Sequence, residues 1–248
     1  SFVALFVAAA HLDLFAGLMR ALHYAHNQGL VHRDIKPENV MVGRYGEVVL
    51  MDWGVAKSRR DAPSPVGQAA AVVNGLGEML SPAAFATQAG TVVGTPAYMS
   101  PEQAQGNLDQ IDERSDIYSA SVVFHELLAV RHYLFDKQSL NSVMFAVISD
   151  AFTFSRLLFI HHPRHSAPAA HFLHFIVRGL AKDPAQRFQS VDEMINELHA
   201  AREGRCRVSC PSTMARRMVG VVGRFVDSYP KLAPFLFYAV LFWVLFCM

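Results

Sequence analysis

Cysteine is scarce in this 248-residue chain: Cys206, Cys210 and Cys247 are the only three. Three thiols cannot build a disulfide framework, so a reduced, cytosolic setting is the natural reading. Cys206 and Cys210 lie close together, but no Cys or His pair stands at ligand spacing to complete a metal site. Charge of one sign is also lacking. Lys and Arg number 22 against 21 Asp and Glu, and without a dominant basic field no nucleic-acid partner is expected. A signal peptide is missing as well. The opening SFVALFVAAA is apolar, yet too short to span a bilayer and without a basic start. It reads as a core helix running into the next segment. The chain begins at Ser1 inside apolar sequence, as a piece of something longer would. What it has in quantity is hydrophobic side chains, 52% of the total, enough for one large domain with appendages.

Helical patterns dominate. Leu12, Phe15, Leu18, Met19 and Leu22 repeat at helical spacing over 11–28, punctuated by Asn27 and Gly29. Further helices fit 117–130, 139–150, 169–181 and 190–201, the last behind a Ser190/Glu193 capping-box pattern. Residues 40–51 read as a β-hairpin around the turn GRYGE. Residues 58–94 are rich in Ala, Gly, Ser and Pro and read as a long, mobile loop with a short helix near 68–80. The tract HHPRH at 161–165 has no scaffold for a metal ion. At the far end, 232–248 carries no charged residue, and Arg205, Arg207, Arg216, Arg217, Arg224 and Lys231 precede it. A spanning helix needs about 20 apolar residues, and basic flanks mark its cytoplasmic side. The expectation is a basic juxtamembrane linker over 204–231 and a truncated transmembrane segment over 232–248. The alternative is a buried terminal helix.

The stretch VHRDIKPENVMV at 31–42 concentrates charge beside apolar sequence. His32, Arg33, Asp34 and Asn39 follow the spacing of the protein kinase catalytic loop. Other pieces come in the matching order: MDWG at 51–54, GTPAYMSPEQA at 94–104, SDIYSASVVFHELL and AKDPAQRFQS at 181–190. Together they resemble the large, C-terminal lobe of a bacterial serine/threonine protein kinase of the eukaryotic-like type, over about residues 11–200. Trp53 stands where Phe is usual, and Ser-Pro-Glu where Ala-Pro-Glu is usual.

Phosphoryl transfer requires an aligned nucleophile and positive charge around the transferring group. The resemblance implies ATP and Mg²⁺ as cofactors and Ser/Thr of protein substrates as acceptors. Asp34 would accept the substrate hydroxyl's proton, and Lys36 would face the γ-phosphate. Asn39 and Asp52 would offer hard oxygens to Mg²⁺. Glu38 stands with these cofactor-binding residues, and Met41 would floor the adenine site. Thr95 would bond Asp34 and Lys36 and favour Ser/Thr substrates. His32, Trp53, Gly54 and Asp116 would serve as scaffold, Asp116 preceding the apolar helix and holding the loop from below, and Glu102 and Arg187 would form a buried ion pair. Arg33 would pair with a phosphate on Thr87 or Thr91.

The resemblance also defines what is missing. No GxGxxG occurs anywhere in the 248 residues, and no strand lysine precedes His32. The fold class expected is therefore mainly α with a small β-hairpin: an incomplete kinase domain over 1–203, lacking its small lobe. It would lie in the cytoplasm at the inner membrane, weak or inactive alone. The alternative is a non-catalytic lobe that binds partners.

Overall fold

A 26-residue helix, α1 (Phe2–Asn27), opens the chain in the computed structural model, which describes residues 2–54, 56–58, 96–163, 168–203 and 205 with the isolated positions 214, 218, 221 and 228. The apolar start and the 11–28 pattern thus merge into one helix. Its buried face carries Leu12, Phe15, Leu18, Met19 and Leu22. Gly29, at a φ of 75°, takes the left-handed turn that ends it.

Four short strands follow: β1 (Leu30–Val31), β2 (Val40–Val42), β3 (Val48–Leu50) and β4 (Lys57–Ser58). Strands β2 and β3 form the expected antiparallel hairpin, with Val40 opposite Leu50 and Met41 opposite Val49. Its turn closes where Gly43 N donates to Glu47 O at 2.7 Å. Strand β1 pairs with β4, a contact between segments too short and too far apart for any local pattern to reveal.

Six helices complete the described architecture: α2 (Pro101–Ala104), α3 (Glu113–Ala129), α4 (Leu140–Ser149), α5 (Phe154–Phe159), α6 (Ala170–Gly179) and α7 (Val191–Arg202). The apolar run expected at 117–130 starts earlier, because the Asp112 side chain caps the helix by accepting from Arg114 N. Asp116 therefore lies inside the first turn of α3 rather than ahead of it. Helix α5 was not foreseen; at this length it shows no period, and Thr153 caps it. The capping box at 190–193 is half made. Ser190 Oγ accepts from Glu193 N at 3.1 Å, while the Glu193 carboxylate accepts from Gln189 N at 2.8 Å.

The core sits where α1, α3 and α6 meet. Phe15 stacks on Phe124 at 4.1 Å, and Phe175 meets both edge-on at 6.4 and 5.5 Å. Phe188 extends the cluster against Phe175 at 4.8 Å. Lys182 Nζ donates to the Ala146 and Val147 carbonyls at the end of α4, and burial pushes its pKa down to about 7. The chain divides into two units, residues 1–195 and 196–248, and the candidate site described below lies in the first. Thr87, Thr91, Thr95, the 58–94 loop beyond Ser58, with its short helix near 68–80, His165 of the HHPRH tract and the 232–248 segment fall outside the described residues, as does most of 204–231. Among the described residues no helix is long and apolar enough to cross a membrane.

The hairpin is seated directly on α1. A Cβ at Gly17 would come within 2.5 Å of Val48 Cγ2 and 2.8 Å of its Cβ. Alanine normally improves a helix interior over glycine by about 1 kcal/mol. Here Gly17→Ala is expected to destabilise by about 1–3 kcal/mol through overpacking. Urea unfolding of the chain checks the sign; a gain in stability would show that the hairpin can move off the helix.

Candidate active site

The charged loop 31–42 is built around one buried carboxylate. Asp116 is 1% exposed. Its Oδ2 accepts from His32 N and His26 Nε2, each at 2.8 Å, and its Oδ1 accepts from Arg33 N at 2.8 Å. A carboxylate removed from water needs such donors to remain charged. The first turn of α3 thus holds two successive backbone amides, and the end of α1 supplies the third bond.

From that anchor the loop makes a sharp excursion. Arg33 has a φ of 72°, a left-handed conformation that long side chains seldom adopt. Its carbonyl accepts from Gln103 Nε2 at 2.6 Å. Burial lowers the pKa of its guanidinium, and the charge of Asp116 opposes that shift. The Arg33 Nε atom is buried with no hydrogen-bond partner among the described residues.

His32 is fully buried and couples the loop to the segment beyond the hairpin. Its Nε2 donates to Met51 O at 2.9 Å, and its Nδ1 accepts from Asp34 N at 3.2 Å. Its ring meets Trp53 edge-on at 4.5 Å. Trp53 in turn donates from Nε1 to Leu50 O at 3.0 Å, so the indole at the usual Phe position adds a bond that Phe could not make.

Three side chains converge next. Asp34 Oδ2 accepts from Lys36 Nζ at 2.6 Å and from Asn39 Nδ2 at 3.0 Å. Asn39 Nδ2 also reaches Asp34 O at 2.8 Å, which commits the amide nitrogen and leaves Oδ1 as the atom able to meet a cation. Pro37 begins the 3-10 turn Pro37–Asn39, its fixed φ suited to that position. Met51 N donates to Asn39 O at 2.8 Å. That bond extends the hairpin pairing by one step and sets Met51, the residue before Asp52, opposite Asn39. Asp52 is exposed, with a φ of 59°, and Gly54 follows it on the surface. Glu38 is exposed in the turn, and Met41, 52% exposed, lies on the open face of β2.

Behind the site, Glu102 and Arg187 form a bidentate pair at 2.8 and 2.9 Å. Arg187 also donates to the carbonyls of Ala181, Arg114 and Lys182, so all five of its N–H donors are used. Ser115 Oγ donates to Glu102 Oε1 at 2.6 Å. Burial alone would raise the Glu102 carboxyl, but the bonds and charge of Arg187, helped by Ser115, hold it below its ordinary range. The segment ahead of α2 is fixed on α3: Ser119 Oγ donates to Tyr98 O at 2.7 Å, and the Tyr98 hydroxyl donates to Glu126.

Sequence reasoning missed His26 and Gln103. The Ser100-x-x-Gln103 spacing of a capping box was there to be read. The reach of Gln103 to Arg33, and of His26 to Asp116, depends on tertiary approach and left no local signal. Among the described residues no group of three or more His, Cys, Asp or Glu side chains could hold a metal ion. The Asn39 and Asp52 oxygens suit a hard ion such as Mg²⁺, which uses one or two protein carboxylates and completes its shell from phosphates and water.

The family profile described as the protein kinase domain matches residues 6–199. Similar curated proteins include the "Probable serine/threonine-protein kinase SCO3848" of Streptomyces coelicolor, 33% identical over 222 residues, which are 90% of this chain and 28% of that protein. The serine/threonine-protein kinase PknD of Protochlamydia amoebophila is 32% identical over 81% of this chain and 19% of its own length. PknB of Mycolicibacterium smegmatis is 30% identical over 78% of this chain and 26% of its own. The chain thus spans only 19–28% of the length of these relatives. A profile match running from α1 into α7, over the loop, hairpin and ion pair just described, places the chain in the protein kinase family.

Proposed function

We propose that these residues form the large lobe of a kinase that transfers the γ-phosphoryl group of ATP to Ser or Thr hydroxyls of protein substrates. The observation that carries this reading is the convergence of Lys36 and Asn39 on one oxygen of Asp34, with Asn39 locked to Met51 beside Asp52. Both bonds fall on Oδ2, so Oδ1 is the atom for the substrate hydroxyl's proton. Lys36 holds the carboxylate in place and brings positive charge to the point where negative charge gathers. Asn39 Oδ1 and Asp52 would hold Mg²⁺, which would supply positive charge to offset that of the phosphates. Thr95 is assigned as a second partner of Asp34 and Lys36, and Arg33 as the receiver of a phosphate on Thr87 or Thr91, on the family pattern alone.

The 248 residues contain no GxGxxG sequence of the kind that covers the phosphates in protein kinases. Losing a single oxyanion-type donor can cost about 10²–10³ in rate. The expected outcome is that full-length kinase phosphorylates a Ser/Thr peptide, whereas Asp34→Asn and Asp52→Asn abolish transfer with folding intact. Residues 1–248 alone should rank with those variants. Near-normal turnover by either variant would overturn the assigned roles, and robust transfer by residues 1–248 would overturn the need for a small lobe.

Membrane attachment belongs to the same proposal on sequence grounds only. The uncharged 232–248 run would enter the bilayer, and the basic residues of 205–231 would face anionic headgroups at about 1 kcal/mol each. Cell fractionation with and without 232–248 tests it. The shortened form is expected in the soluble fraction and the longer form with membranes; both forms soluble and monodisperse would refute it.

A further inference from the structure

The peptide unit that joins Arg33 to Asp34 is held by side chains at both polar atoms. Its carbonyl accepts from Gln103 Nε2 at 2.6 Å, and its amide donates to His32 Nδ1 at 3.2 Å. A peptide plane turns as a rigid unit, so fixing both atoms fixes the direction in which Asp34 leaves the loop. Just before this unit, Arg33 N is held by Asp116 Oδ1 at 2.8 Å. The left-handed Arg33 is thus clamped between α2 and α3.

Gln103 is suited to the task. It is buried, and its amide oxygen is already engaged, accepting from Ser100 N and Ser100 Oγ at 3.0 Å each. With the oxygen committed to two donors, the NH₂ group must point the other way, toward the Arg33 carbonyl. A glutamine three residues past a cap could serve its own helix alone. A bond to a carbonyl 70 residues away is something the cap does not require.

We infer that Gln103 is a positioning residue for phosphoryl transfer: from the capped start of α2 it fixes the Arg33–Asp34 peptide and thereby aims the Asp34 carboxylate. The 96–104 segment is then tied to the catalytic loop by one amide. This rests on the reading of Asp34 as the base.

The test is Gln103→Glu in the full-length kinase, with Asp34→Asn in parallel. A carboxylate keeps the acceptor for Ser100 N, and with it the cap, but has no proton to give Arg33 O. Expected is a fall in kcat of about tenfold at neutral pH, with KM for ATP and peptide within about twofold, as for an interaction that matters in the transition state. The new carboxyl, buried against a carbonyl, would titrate above its ordinary range. Once protonated it can donate, so the ratio of variant to unaltered kcat should climb as pH falls, which a merely structural defect would not produce. Should this variant fail to fold, Gln103→Asn withdraws the amide without adding charge and should show the same kcat loss. A kcat within about twofold of the unaltered enzyme in the variant that folds, while Asp34→Asn is inactive, would overturn the role of Gln103. Turnover retained by Asp34→Asn would instead overturn the reading of the base on which the inference stands.

Discussion

The buried carboxylate of Asp116 is the interaction on which the site depends. Three donors meet it, two of them the successive amides of His32 and Arg33. Hydrogen bonds to a charged group contribute about 1.5–3 kcal/mol each, which is of the size needed to hold a backbone strained by about 1–3 kcal/mol at a left-handed residue. Without that anchor the bond from Gln103 holds only the far side of Arg33, and its φ of 72° loses the restraint on its own amide. Asp34 would then leave the loop in another direction, away from Lys36 and Asn39.

The same turn of α3 ties the loop to the scaffold. Three consecutive residues each hold a different partner. The Arg114 carbonyl accepts from Arg187, the Ser115 hydroxyl donates to Glu102, and Asp116 takes the loop amides. The ion pair and the loop therefore share one rigid support, and the stacked Phe124 further along the helix fixes that support in the core. Removing one partner of a buried pair leaves an uncompensated charge at a cost of about 3–5 kcal/mol. Damage at Arg187 should therefore reach the loop through neighbouring residues of α3 rather than by direct contact.

Much of this was legible in the sequence. The loop, the hairpin and the long apolar helices carry either a dense motif or a repeated period, and the chain's membership in the kinase family follows from those motifs. What the sequence hid falls into two physical kinds. Short elements such as α5 and the β1–β4 pair are too brief to show a pattern, and tertiary contacts create them. Long-range polar bonds, His26 to Asp116 and Gln103 to Arg33, join residues far apart, so neither partner marks the other. The positive φ at Arg33 belongs to this second kind, since a long side chain seldom adopts it and the surrounding bonds sustain it.

Amide hydrogen exchange at His32 and Arg33 in the unaltered chain and in Asp116→Asn tests the central claim most directly. The asparagine keeps one acceptor oxygen and turns an NH₂ toward the remaining donors. The account predicts strong protection of both amides in the unaltered chain and exchange faster by about 10² or more in the variant, as expected when about 3 kcal/mol of local support is withdrawn. The amides in the middle of α3 should stay protected. Equal protection of His32 and Arg33 in the two proteins would contradict the claim that Asp116 holds the loop.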